Sequence, residues 1–127
     1  MSSVKQFQVS FDCAEPVRLA RFWAETLGYR AEYDQEQGDA AALDPTGAGP
    51  RLYFQRVPEG KVVKNRLHLD IRVGTGLVGD ERVAVLEEEC SRLVTLGATR
   101  LRLLVADEEN EACLVMQDVE GNEFCLA

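Results

Sequence analysis

Histidine is almost absent from this chain, because His68 is the single histidine among 127 residues. Any acid–base step that needs an imidazole must therefore use His68. Cysteine is not rare, but none of the four forms a C-x-x-C pair, so the most common zinc-binding spacing is excluded. For Cys13, Cys90 and Cys113 the simplest interpretation is a small, buried apolar side chain.

Long apolar runs and blocks of basic residues are also missing. No run approaches the roughly 18 residues that span a bilayer, so no membrane-spanning segment is predicted. The first residues, Met1–Gln6, lack the apolar stretch of a secretory signal, and we expect a cytoplasmic protein. The net charge is −8 and the isoelectric point is near 4.7. Such a surface repels phosphate backbones, so nucleic acid is not an expected partner.

The chain does contain a repeat. Each half has an alternating segment, an amphipathic helix that ends in Leu-Gly, and an Asp-x-x-Gly turn before a last strand. The first copy carries Leu27-Gly28 and the turn at 44–47, and the second carries Leu96-Gly97 and the turn at 118–121. Two copies of one open sheet could enclose a cleft, and that cleft is where we expect the function to lie.

Hydrophobic periodicity predicts the same element order in both copies: a strand, a helix and three further strands. The first copy covers about residues 4–60 and the second about 66–127, within a single domain over 1–127. The predicted class is therefore α+β, with two tandem βαβββ modules that form a curved mixed sheet around the cleft. The predicted strands are Val4–Asp12, Tyr29–Gln35, Ala40–Leu43 and Arg51–Val57, then 67–73, Thr99–Val105, Ala112–Gln117 and Glu123–Ala127; the helices run from Glu15-Pro16 to Leu27 and from about Asp80 to Leu96.

Strand alternation predicts which side chains face the cleft. The helix of each copy packs on the apolar face of its sheet, so the polar side chains point the other way. These polar faces could converge on one pocket, or they could simply face water. The candidate substrate-binding residues on them are Gln8, Ser10, Arg51, Tyr53 and Gln55 in the first copy and Asp70, Arg72, Glu123 and Cys125 in the second.

His68 is the candidate catalytic residue, and two partners for it can be considered. Asp70 is two residues away on the same strand face, roughly 7 Å by strand rise, so no direct His–Asp dyad is predicted. Cys125 beside His68 would suggest a nucleophile and its base, whereas a buried apolar thiol is the competing interpretation.

Several motifs occur in a fixed order: Phe11–Pro16, Ala20–Trp23 and Leu27–Tyr29 in the first half, and Asn65–Asp70 and Asp118–Phe124 in the second. Together they resemble the vicinal oxygen chelate superfamily, and within it the small glyoxalase-like domain proteins. The superfamily includes glyoxalase, bleomycin-resistance and dioxygenase proteins. The resemblance covers essentially the whole chain and implies paired βαβββ modules, a small-molecule ligand and a homodimer.

The resemblance also implies where a metal would bind. In metal-dependent members four side chains hold one divalent ion, and the matching positions here are Gln8, Gln55, His68 and Cys125. Such members usually have His and Glu at these positions, and this chain keeps only His68. Because neutral Gln amides are poor ligands beside His and thiolate, the resemblance leaves a divalent metal open without favouring it.

Three functions follow from this sequence. The first is a glyoxalase-like enzyme of the lyase or isomerase type with a degenerate metal site, acting on a small oxygen-rich molecule. The second is a non-catalytic, drug-sequestering binding protein of the bleomycin-resistance type, whose acidic surface would attract a cationic ligand. The third is a structural or regulatory domain without a ligand.

Overall fold

A computed structural model describes residues 3–127, which form two compact units. The first unit ends at Lys61 and the second begins at Val62. Each contains one helix and one four-stranded mixed sheet. Across residues 3–127, neither helix is long and apolar enough to cross a membrane.

The first unit has the element order βαβββ. Its sheet order is β1-β4-β3-β2, in which β1 runs parallel to β4 and the other neighbours are antiparallel. The elements are β1 Val9–Cys13, α1 Pro16–Leu27, β2 Arg30–Tyr33, β3 Ala40–Leu43 and β4 Leu52–Arg56.

Proline and glycine set the ends of α1. Pro16 occupies the first turn, where its missing N–H is not needed, and Gly28 ends the helix with a φ of 72°. The apolar face of α1 covers the sheet, and Trp23 is only 1% exposed. The Phe11 ring lies 5.6 Å from the Trp23 ring and 5.1 Å from the Phe54 ring, between centroids. In β4 this packing buries Leu52 and Phe54, whereas Tyr53 and Gln55 on the other face keep part of their surface accessible.

The second unit repeats this order. Its sheet order is β5-β8-β7-β6, with β5 parallel to β8 and the remaining pairs antiparallel. Leu86 and Leu93 of the helix are fully buried, as are Leu114 and Leu126 of the sheet. The elements are β5 Asp70–Ile71, α2 Gly79–Thr95, β6 Thr99–Leu104, β7 Cys113–Gln117 and β8 Glu123–Leu126.

The predicted α+β class and the predicted element order are confirmed, but both opening strands are shorter than predicted. Regular pairing begins at Val9 rather than Val4, and β5 has two residues rather than seven. Phe7 and Leu67, expected on the buried faces, are 72% and 88% exposed. The reason is the partner strand: Val9 is the first residue of β1 to find a neighbour, because β4 begins only at Leu52.

Candidate functional site

The pairing of β5 with β8 brings three predicted site residues together. Asp70 lies opposite Cys125 in the parallel register, and the Cys125 N–H donates to the Leu69 carbonyl at 3.0 Å. Phe124 and Leu126 are buried, so Cys125 between them projects from the other face of the sheet. One ligand atom from each of His68, Asp70 and Cys125 lies within 4.8 Å of the other two.

The closest contact in this cluster joins His68 to Asp70. His68 Nε2 lies 3.3 Å from Asp70 Oδ1, and both side chains are about half exposed. Strand rise alone predicted a separation of roughly 7 Å, and the two side chains approach more closely than that. Strand rise fixes the spacing of the main chain, whereas these two side chains lean toward each other. The carboxylate can orient the imidazole ring.

Cys125 is the least exposed member of the cluster. Burial raises the pKa of its thiol to about 11, and the neighbouring Cys113 thiol and Asp70 carboxylate add to the effect. The thiol is therefore protonated at neutral pH, which argues against a ready nucleophile. A metal ion can still bind the sulfur by displacing the proton.

The donors suit a borderline cation better than a hard one. Imidazole nitrogen, carboxylate oxygen and sulfur are the zinc ligands of proteins, whereas Mg²⁺ prefers oxygen alone. Two ligands of a tetrahedral ion at about 2.0 Å lie about 3.3 Å apart, and His68 and Asp70 already have that spacing. Three protein ligands that reach solvent leave a position open for water or substrate. Over residues 3–127, these three residues are the one group of three His, Cys, Asp or Glu side chains found close enough together to hold a metal ion.

The other two predicted residues of the second unit flank this cluster. Glu123 lies two positions before Cys125, on the same face of β8, with Lys64 Nζ 3.9 Å from its carboxylate. Its main chain is fixed by Asn65, whose Oδ1 accepts the Glu123 N–H at 2.8 Å. Arg72 is exposed just beyond β5.

In the first unit, four predicted residues form a separate polar network. Arg51 Nη1 donates to Gln8 Oε1 at 2.9 Å, and Gln8 Nε2 donates to Ser10 Oγ at 3.4 Å. The Arg51 guanidinium lies over the Tyr53 ring, 5.1 Å from its centroid. Gln55 is exposed and follows Tyr53 on the same strand face. Gln8 thus accepts a hydrogen bond from an arginine. Of the four family metal positions, His68 and Cys125 belong to the cluster of the second unit.

A small pocket of about 140 Å³ lies beside this network. Tyr53 donates its hydroxyl to Asp39 Oδ2 at 2.6 Å, and the Arg56 N–H reaches Asp39 Oδ1 at 3.1 Å. Both hydrogen bonds lower the pKa of Asp39, and the bond from Tyr53 has the larger effect. The hydrogen bond to Asp39 also raises the pKa of Tyr53. The pocket is lined by Glu32, Tyr33, Asp34, Asp39, Ala40, Ala41, Arg51 and Tyr53.

Sequence reasoning found Arg51 and Tyr53 of this pocket and missed its acidic residues. Glu32 and Asp34 share a face of the predicted strand Tyr29–Gln35 by alternation, but that face meets Tyr53 only through the register of β2, β3 and β4. Asp39 lies between the predicted strands that end at Gln35 and begin at Ala40, where an aspartate is expected for the turn itself. The alternation of β2 was the one signal that could have suggested Glu32 and Asp34.

The family assignment follows from a whole-length match. A family model described as a glyoxalase-like domain matches residues 8–127. The chain belongs to this family. No curated protein matches this glyoxalase-like sequence.

Solved structures share the fold at low sequence identity. A fosfomycin resistance protein FosX from Listeria monocytogenes, solved with Mn(II) and a dihydroxypropylphosphonic acid, has a TM-score of 0.71 at 13% identity, covering 99% of this chain and 90% of its own. A glyoxalase/bleomycin resistance protein/dioxygenase family enzyme from Burkholderia phytofirmans has a TM-score of 0.67 at 13% identity and 94% coverage of both chains. A hypothetical protein from S. aureus has a TM-score of 0.70 at 8% identity, covering 98% and 94%. At these identities the likeness concerns the fold.

Proposed function

We propose that this glyoxalase-like protein is a metal-dependent enzyme of the lyase or isomerase type that acts on a small oxygen-rich molecule. The convergence of His68, Asp70 and Cys125 on one face of the second sheet carries the proposal. The cluster contributes a carboxylate that the four family positions lack, and so removes the main chemical objection to a bound ion. A fold neighbour, FosX, was solved with Mn(II), which is consistent with metal chemistry on this fold.

Each residue of the cluster has a distinct part in this proposal. His68 would hold the ion through a ring nitrogen, Asp70 through a carboxylate oxygen and Cys125 through its sulfur once the thiol proton has left. A bound ion would supply Lewis acidity toward a substrate oxygen. The exposure of His68 and Asp70 leaves room for a substrate to approach.

Metal titration of the purified protein tests the first half of this proposal. We expect one Zn²⁺ or Co²⁺ per chain and much weaker binding of Mg²⁺. The Co²⁺ form should show a thiolate charge-transfer band, and Cys125→Ser should remove that band while Asp70→Asn weakens binding. Asp12→Asn, which removes an exposed carboxylate in the first unit, is the matched control and should change neither. Absence of stoichiometric metal would contradict the proposal.

Turnover of a panel of small oxygen-rich compounds, with fosfomycin among them, tests the second half. The metal-loaded protein should convert at least one compound, and His68→Ala should abolish that conversion. Turnover that survives His68→Ala would show that the cluster is not the active centre.

A second candidate is a non-catalytic binding protein. It is favoured by the first unit, where Gln8 binds Arg51 and no carboxylate takes the family metal position. This candidate predicts ligand-induced thermal stabilisation without turnover, for cationic or aromatic compounds in particular. A flat thermal response across such compounds would count against it.

A further inference from the structure

We propose that the pocket beside Tyr53, here called the acidic pocket, binds a compact organic cation, an ammonium group on a short aliphatic chain. The pocket lies wholly within the first unit, among residues of β2, β3 and β4 and the turn between β2 and β3. The proposal does not depend on the metal cluster of the second unit.

The shape of the acidic pocket follows from the strand register. Ala41 pairs with Glu32 on one side and with Tyr53 on the other, on the face away from α1. A methyl group between two long side chains leaves a depression in the sheet. Asp34 and Asp39 close one end, because the Asp34 N–H donates to the Asp39 carbonyl at 2.9 Å.

The charge of the pocket favours a cation. Asp39 accepts its hydrogen bonds from a tyrosine hydroxyl and a backbone N–H, and Asp34 Oδ1 accepts backbone N–H groups at 3.0 and 3.1 Å. Neutral donors stabilise a carboxylate charge without cancelling it. The lining thus has three carboxylates against the one guanidinium of Arg51.

Neighbouring arginines offset only part of this charge. Arg30 pairs with Glu32 at 2.9 Å. Arg56 lies on the opposite face of β4, and its electrostatic attraction for Asp39 is weak. Arg51 already contacts Gln8 and the Tyr53 ring. The charges of Asp34 and Asp39 are therefore the ones available to a ligand.

The size and polarity of the pocket narrow the choice of ligand further. A volume of 140 Å³ corresponds to about five water molecules at roughly 30 Å³ each, which fits about five non-hydrogen atoms. Ala40 and Ala41, each 3% exposed, form the base of the pocket, and the ring of Tyr53 offers the apolar surface for a short hydrocarbon chain.

Three probes of equal length test the charge preference: n-butylammonium, n-butanol and butyrate. Binding is followed by amide chemical shifts of the isotope-labelled protein, which also locate the site. We expect n-butylammonium to bind most tightly, to shift the amides of Ala41 and Tyr53, and to weaken as salt is added. Tightest binding of butyrate, through Arg51, would overturn the proposal, as would equal affinity for all three probes or shifts confined to other residues.

Charge-removing variants test the assignment to this pocket. Asp34→Asn should weaken n-butylammonium binding roughly two- to fivefold, as expected for an exposed charge pair. Glu32→Gln should weaken it less, because Arg30 already pairs with that carboxylate. Glu36→Gln is the matched control, because it removes an equal charge from the same hairpin at an exposed position outside the pocket. His68→Ala should leave this binding unchanged, which separates the result from that of the metal titration. Equal loss in Glu36→Gln would overturn the proposal by showing that the probe senses only general charge.

Discussion

Cys125 shows at the scale of one residue how its surroundings suppress a reactive group. Cys125 lies between Phe124 and Leu126 in the sequence of β8, and its side chain points to the opposite face, beside Cys113 of β7. Burial removes the water that would stabilise a thiolate, and the nearby Asp70 carboxylate opposes a second negative charge. The sulfur is thus available to a metal ion while being protected from ordinary electrophiles.

We expect iodoacetamide to alkylate Cys125 slowly in the metal-free folded protein. A pKa of about 11 instead of 9.0 reduces the thiolate fraction at pH 8 about 100-fold, and the higher nucleophilicity of a more basic thiolate recovers part of this, leaving a net slowing of about tenfold. The rate should rise tenfold per pH unit until about pH 11. Residue-resolved mass spectrometry measures it, with denatured protein as the control, and a plateau near pH 9 would contradict the raised pKa.

The Tyr53–Asp39 pair gives a second prediction at this scale. Tyr53→Phe removes the hydrogen bond that contributes most to the lowered pKa of Asp39, so that pKa should rise toward its usual value. Because the pKa is lowered in the folded state, Asp39 adds stability above its unfolded pKa, near 3.9, and loses it as the pH falls through the folded value. The stability that Asp39 contributes, and that is lost in acid, should therefore be smaller in Tyr53→Phe.

Carboxyl chemical shifts followed between pH 2 and 6 measure the Asp39 titration. Tyr33→Phe is the control, because Tyr33 lines the same pocket while the hydrogen bond to Asp39 comes from Tyr53. An Asp39 titration that is identical in Tyr53→Phe and in the unmodified protein would contradict the assignment.

At the scale of elements, both repeats use the same turn before their last strand. In the second unit Asp118 is buried, and its Oδ1 accepts the N–H groups of Glu120 and Asn122 at 2.9 and 3.0 Å. Gly121 follows at a φ of 85°, where a side chain would be strained. The turn directs the chain into β8 and so sets the position of Cys125.

Asp118→Ala should lower the free energy of unfolding by about 1–3 kcal/mol, because partly buried N–H groups lose a buried acceptor. Urea denaturation measures the change. Asp107→Ala is the matched control: Asp107 accepts the N–H groups of Glu109 and Asn110 in the same way, but in an exposed turn where water can replace it. A larger loss for Asp107→Ala than for Asp118→Ala would contradict the burial argument.

The elements also show how far the sequence alone leads. Helix ends were predictable, because Pro16 and Gly28 act locally, and β3 was predicted with its observed bounds. The opening strands were not, because their length depends on where a distant partner begins. The site divides in the same way: His68 and Cys125 were identifiable by type and position, but their approach to Asp70 depends on the parallel register of β5 and β8. That pairing joins strands more than 50 residues apart in the chain.

At the scale of the whole molecule, we expect a homodimer. Phe7, Val62 and Leu67 are 72%, 92% and 88% exposed, and a second copy of the chain would cover apolar side chains of this kind. Sedimentation equilibrium should give twice the chain mass of 14.1 kDa. The double variant Phe7→Ser, Leu67→Ser should shift the protein toward the monomer, whereas Val105→Ser, also at an exposed valine, should not. A monomer at all concentrations would refute the expectation.

Because β5 is short, part of the candidate metal centre lies on an irregular segment. Residues 62–69 form no regular element, and His68 lies there between Asn65 and Leu69, which both hydrogen-bond to β8. An ion bound by His68, Asp70 and Cys125 would add a further link between this segment and β8. Trypsin cleavage after Lys64 and Arg66 should then slow when Zn²⁺ is added and recover with a chelator, so that protease resistance becomes a gauge of occupancy. Unchanged cleavage in the zinc-loaded protein would show that the segment is held by other means.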